Sequence, residues 1–176
     1  MTADLISQPS PTRLASWAGR ASQHRREQVR ARTADTGPAV HHLWESLVEV
    51  LRSIDTPSSA LLCTTDGAPV AAYGLPRQDL PLASRRTGRM FAARAHHVAA
   101  GVGTEPDAVE TVELTAGLRH TVIASVPAHT QGDHLLCVSA EGVSPPLLQA
   151  WTRRAAEDLR AVLADQELPS SSSAAL

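Results

Sequence analysis

The stretch Ala60-Leu61-Leu62-Cys63-Thr64-Thr65-Asp66-Gly67-Ala68-Pro69-Val70-Ala71-Ala72 decides the fold. Ala60 to Thr64 is an apolar run, too short for a helix and bounded by turn residues, so it reads as a strand. Asp66-Gly67 supplies the positive-φ turn that hairpins favour. Val70 to Leu75 is the return strand. Pro76 and Pro81 then stop it and bound a loop.

Upstream of this hairpin, Val40, Leu43, Trp44, Leu47, Leu51 and Ile54 fall at helical spacing, with Glu45, Glu49 and Arg52 opposite. That helix opens near Pro38 and ends at Pro57-Ser58-Ser59. Downstream, Ser84 to Val102 is predicted helical, with Gly101 and Gly103 at its end where left-handed conformations are needed. Phe91, Ala95, Val98 and Val102 make its core stripe, and Met90, Arg94 and His97 a second, outward stripe. Arg85, Arg86, Arg89 and Arg94 give it a positive face with no acid on it.

Three strands follow. Val109 to Leu114 alternates, with Val109, Thr111 and Glu113 on one side and Glu110, Val112 and Leu114 on the other. Arg119 to Val126 alternates too, beyond the turn Ala116-Gly117. His134 to Ala140 follows the turn Gln131-Gly132-Asp133 and is apolar throughout, as a central strand covered on both faces should be. Ser144-Pro145-Pro146 starts the last helix, a Ser cap before a first-turn Pro. Leu148, Trp151, Ala155, Leu159 and Val162 form its predicted buried stripe. The order α–β–β–α–β–β–β–α limits the architecture to an antiparallel sheet with helices on its faces.

Composition narrows the function. The chain of 176 residues suits one domain with tails. A formal charge of −2 argues against a dedicated nucleic-acid binder. The charge is uneven: residues 1–37 hold six Arg against three acids, net +3, and the rest ten Arg against fifteen acids, net −5. Ser10 to Arg32 of this basic arm reads as a marginal helix with Leu14, Trp17 and Ala21 on one face. Its apolar face is thin, which argues against membrane contact. The arm is expected to end at the break Ala34 to Pro38, the folded domain to span 38–163, and a Ser-rich tail to fill 164–176. Arginine is used to the exclusion of lysine, which suggests a GC-rich genome. Neither a signal peptide nor a spanning segment is visible, so a cytoplasmic home is expected.

The hairpin residues quoted above resemble the Roadblock/LC7 family: an apolar strand, Asp-Gly, then a strand of small residues. Thr121-Val122-Ile123-Ala124-Ser125-Val126 and His134-Leu135-Leu136-Cys137-Val138-Ser139-Ala140 are similar to its last two strands. The resemblance covers Pro38 to Leu163. It implies an α/β (α+β), profilin-like fold: a five-stranded antiparallel sheet, second and third strands at the edges, middle helix on one face and terminal helices on the other. It also implies pairing through the middle helix and adjoining edge strand, and a non-catalytic role as regulator or platform for a small Ras-like GTPase or signalling complex. An actinobacterial origin fits the arginine usage. The long basic arm and the basic middle helix depart from the usual bacterial pattern.

Catalytic chemistry finds little support. No G-x-S-x-G elbow is present. Cys63 and Cys137 lie in strand patterns and read as buried thiols. His41-His42 and His96-His97 are adjacent pairs whose side chains point about 100° apart on a helix, so neither chelates alone. His120, His129 and His134 would approach across strand ends if the last two strands form a hairpin. The expectation is therefore no enzyme, no cofactor and no metal. A homodimer is expected, with Arg86, Met90, Arg94, His97, Glu110 and Glu113 as interface candidates, Glu110 and Glu113 neutralising the Arg face. Two alternatives stand beside it: a profilin- or GAF-like small-ligand sensor, and an interaction module with no GTPase partner.

Overall fold

The computed structural model describes residues 37–98, 108–128 and 132–166. Residues 1–36 of the basic arm, Gly101 to Gly103, His129 and residues 167–176 of the Ser-rich tail lie outside these residues, while 164–166 continue the last helix. In chain order the elements are α1 (Gly37–Arg52), β1 (Ser58–Thr64), β2 (Pro69–Tyr73), a 3-10 turn (Arg77–Asp79), α2 (Leu80–Val98), β3 (Thr111–Ala116), β4 (Arg119–Val126), β5 (His134–Glu141) and α3 (Pro145–Gln166). The five strands form one sheet in the order β2-β1-β5-β4-β3, and every neighbouring pair is antiparallel. The second and third strands are thus the edges, and the apolar β5 is the middle strand.

The deciding hairpin closes as its residues dictate. Gly67 N–H donates to Thr64 O at 2.9 Å, and Thr64 N–H to Ala68 O at 2.9 Å. Gly67 takes φ +91°, a conformation that a side chain would strain. The Thr64 hydroxyl donates to the Asp66 carboxylate, and this bond holds Asp66 below the usual carboxylate range. The turn then stacks against α2: a Cβ at Gly88 would come within 3.1 Å of Thr65 O, so the glycine lets the helix pass this close without a shift of a few tenths of an ångström.

Strand alternation sorts the core into two layers. On one face Ala60, Leu62, Val122, Ala124, Val126, Leu136, Val138 and Ala140 pack beneath α1 and α3. On the other, Leu61, Cys63, Ala72, Val112, Ile123 and Leu135 pack beneath α2. From α1 the first layer takes Val40, Trp44, Leu47 and Leu51 of the predicted stripe and also Val48, while Leu43 and Ile54 are only partly buried against it.

Three expectations need correction. The middle helix starts at Leu80, four residues before Ser84, and Pro81 lies inside its first turn. A proline there removes an N–H that has no intrahelical partner anyway, so it opens the helix instead of ending a loop. The buried stripe of α3 is turned by one position: Leu148, Thr152, Ala156, Leu159 and Leu163 are fully buried, while Trp151, Ala155 and Val162 are half-buried. Thr152 is accommodated because its hydroxyl donates to Leu148 O at 2.7 Å. Finally, Met90 belongs to the sheet-facing side of α2, packed with Phe91 against the second layer, and does not form an outward stripe with Arg94.

Candidate interaction surface around α2 and β3

The sheet-facing side of α2 is unusual in being half polar. Leu80, Ala83, Met90 and Phe91 pack against the sheet, but Ser84 and Thr87 are buried among them. Thr87 hydrogen-bonds the Cys137 thiol, and Ser84 Oγ has no partner among the described residues. The helix touches β1, β2, β3 and β5. One end of this sheet face therefore stays open as a groove of about 520 Å³, and its walls include Arg86, Met90, Leu114, Arg119, Thr121 and Ser139. On its floor Thr121 Oγ1 and Ser139 Oγ are 2.9 Å apart, a cross-strand hydroxyl pair. Arg119 donates to Glu141 at 2.8 Å, an exposed pair whose contribution to stability is small.

Beside Arg86 at the groove wall, Arg85, Arg89 and Arg94 are also exposed on α2, whose sequence contains no acid. The side chain of His97 lies outside the described residues. β3 pairs only with β4, so its second edge has no strand beside it among the described residues. The two glutamates expected to act together are separated. Glu110 falls on the α2 side of the alternation and is tied by its backbone to Ser125, whose N–H donates to Glu110 O at 2.9 Å. Glu113 is exposed on the opposite side, one pleat from Thr111, which receives the Gln149 amide of α3 at 3.4 Å. Arg86, Arg94 and Glu110 thus share one side of the molecule, and Glu113 does not.

His120 and His134 do not converge. β4 and β5 do form a hairpin, but His120 pairs with Ala140 at one end and His134 with Val126 at the other. Six residues of strand separate them, about 20 Å. Among the described residues no three His, Cys, Asp or Glu side chains gather closely enough to hold a metal ion. Cys63 and Cys137 sit on neighbouring strands, opposite Leu135 and Leu61 respectively, and both are free thiols. Burial pushes Cys63 up to about 12 and Cys137 to about 11, so neither is a thiolate at neutral pH. No helix among the described residues is long and apolar enough to cross a membrane.

Neither a family model nor a curated protein matches the chain. Solved structures do. A Roadblock/LC7 domain from Streptomyces avermitilis superposes with a TM-score of 0.52 at 17% identity, over 69% of this chain and 95% of that one. The gliding protein MglB from Thermus thermophilus gives 0.55 at 18% identity, over 73% and 93%. An MglB described in a tetrameric arrangement gives 0.54 at 18%, also over 73% and 93%. The fold is that of a Roadblock/LC7 domain. At these identities the likeness speaks for the Roadblock architecture alone. The sequence signal that carried it was the order of elements and the Asp-Gly hairpin. The groove beside α2 had no such signal, because its walls come from separate elements that only the sheet order brings together.

Proposed function

We propose that this Roadblock-fold chain is a non-catalytic regulator or scaffold that pairs with a second copy of itself and binds a small Ras-like GTPase or an associated signalling protein. The observation that carries this reading is the α2 and β3 side of the molecule: an open strand edge, a half-covered groove and an arginine face without acids lie together there. An open edge strand offers unpaired backbone groups to another chain. Arg86 and Arg94 of one protomer would face the Glu110 side of its partner, which relieves the like-charge repulsion of two α2 helices. The arginine surface left outside the dimer suits an acidic partner surface, with binding that weakens as salt rises.

Arg94→Glu tests the pairing better than Met90→Glu, because Arg94 is exposed whereas Met90 also holds α2 to the sheet. Sedimentation should report a dimer for the native chain and a shift toward monomer for R94E; an unchanged mass removes α2 from the interface. For the partner, affinity capture from the native host followed by GTP hydrolysis and exchange assays on the captured protein is decisive. A GTPase whose capture is lost in R94E supports the reading, and capture of none argues for an interaction module of another kind.

A second reading rests on the groove itself. Its volume is in the range of small-ligand sites, and Arg86, Arg119, Thr121 and Ser139 are polar groups converging on an apolar wall. A sensor domain would carry a ligand there, which native mass spectrometry of the freshly purified protein would reveal as a stoichiometric mass increment.

A further inference from the structure

The opposite side of the molecule carries a second, different surface. Between α1 and α3 runs an apolar groove of about 210 Å³, lined among others by Leu43, Leu47, Val50, Trp151 and Ala155. Val50 is 40% exposed there, a large apolar side chain left toward solvent on an otherwise well-packed helix. Trp44 forms part of the same wall, and its Nε1 is buried with no hydrogen-bond partner among the described residues. A buried indole N–H usually finds an acceptor. Among the described residues the groove therefore has neither an apolar cover nor an acceptor for that indole N–H.

We infer that the chain's own N-terminal segment, residues 10–32, is the occupant of this groove, with Trp17 and Leu14 seated between α1 and α3. Three observations select it, all independent of the GTPase reading. The first is pattern: Leu14, Trp17 and Ala21 form one apolar stripe in a segment otherwise rich in Arg, matched in width to a narrow cleft. The second is reach. The segment joins the fold at Gly37, the first residue of α1, so a helical arm would fold back along α1 as a helical hairpin. Trp17 lies fifteen residues before Arg32 and Val50 thirteen after Gly37; at 1.5 Å per residue both are about 20 Å from the connection. The third is charge. The arm is net +3, from six Arg against three acids, and the acids along α1 are Glu45 and Glu49, whereas Glu157 and Asp158 of α3 are already paired with Arg153 and with Arg154 at the groove wall. Tethering raises the effective concentration of such a segment to about the millimolar range, so a thin stripe suffices for docking.

The chain supplies its own probes: of its three tryptophans, Trp44 and Trp151 line the groove and Trp17 belongs to the arm. Full-length protein labelled with 5-fluorotryptophan gives three fluorine resonances, assignable by Trp→Phe variants. The Trp17 resonance should be shielded from a soluble gadolinium chelate. In Val50→Glu, a change at an already exposed position, that shielding should be lost and the Trp44 and Trp151 resonances should shift with it. The same protection must survive tenfold dilution. A Trp17 signal as accessible as free tryptophan in the native chain overturns the inference. So does protection that vanishes on dilution, which assigns the groove to a second copy, or protection unmoved by Val50→Glu, which places Trp17 elsewhere. Arg94→Glu leaves the fluorine pattern unchanged, so failure of the GTPase reading and failure of this one are read separately.

Discussion

The two faces of the sheet are built to different standards. Beneath α1 and α3 the layer is apolar and large, and Trp44, Leu136, Leu148 and Leu159 are almost wholly removed from water. Beneath α2 the layer is far smaller, and the helix brings Ser84 and Thr87 to it. The second face is held as much by fit as by area: Gly88 lets α2 lie against Thr65 O, and Arg85 lies against Gly67 of the hairpin turn. Hydrophobic stabilisation scales with apolar area removed from water. The α1/α3 face therefore supplies most of the stability, while the α2 face keeps a surface free for contact. A helix that contributes little to its own fold is the one that a partner can engage at least cost to the rest.

Truncation on each face gives the largest expected contrast. Leu136→Ala empties a site at the centre of the sheet, 0% exposed, and should cost about 2–5 kcal/mol. Phe91→Ala removes a larger side chain from α2, yet it is half-buried, and the cost should be about 1–2 kcal/mol in proportion to the area involved. Urea unfolding followed by circular dichroism measures both. Equal losses would mean that the α2 face is as tightly built as the other, and the contrast would fail.

A smaller effect follows from His134, at the end of β5 on the α1/α3 side. Burial holds its pKa below the ordinary 6.5, against the weaker opposite pull of the Gly132 carbonyl, Asp133 and Asp66. The sign follows from linkage. The unfolded chain binds this proton more readily than the folded one, so stability rises with pH between the lowered folded value and 6.5. It is lost as pH falls through that window, because the imidazole must then charge while buried. Midpoints of urea unfolding from about pH 5 to 7 should slope upward, and His134→Gln should flatten the slope whatever it does to the absolute midpoint. An unaltered slope in H134Q would assign the dependence to other groups.

Much of the architecture was legible because its signals are local. Asp66-Gly67 requires a turn, the unbroken run Leu135 to Val138 requires cover on both faces, and Val40 to Leu51 repeats at helical steps whatever surrounds it. The α2 region was harder for physical reasons. Pro81 stops a strand and opens a helix equally well, and only the 3-10 turn at Arg77–Asp79 decides which it does here. Met90 and Arg94 fall one helical turn apart, so periodicity groups them, yet the flexible Met reaches the sheet and the Arg does not. In α3 the sequence favours Trp151 as a core residue because of its size. Thr152 is buried instead, since its hydroxyl returns to its own helix and leaves the methyl for the core. The separation of Glu110 from Glu113 was legible from alternation, but the groove was not, since no local pattern reports which strands become neighbours.

The smallest expected effect is the most discriminating. Ser84 is 0% exposed, and its hydroxyl has no partner among the described residues. A buried hydroxyl without a partner loses its hydration for nothing in return, and alanine is the better helix former. Ser84→Ala should therefore raise stability by about 0.5–1 kcal/mol. The matched change on the other face is Thr152→Val, which sacrifices a made hydrogen bond to Leu148 O and places a β-branched residue of similar shape in the same space. It should be neutral or lower stability by up to about 1 kcal/mol. Opposite signs for two hydroxyl removals from buried helix positions would trace the difference to the two sites: Thr152 with its hydroxyl bonded to its own helix, Ser84 carrying an unpartnered hydroxyl in the thinner layer. If Ser84→Ala destabilises instead, water from the groove reaches that hydroxyl, and α2 rests on a wetter sheet than its packing suggests.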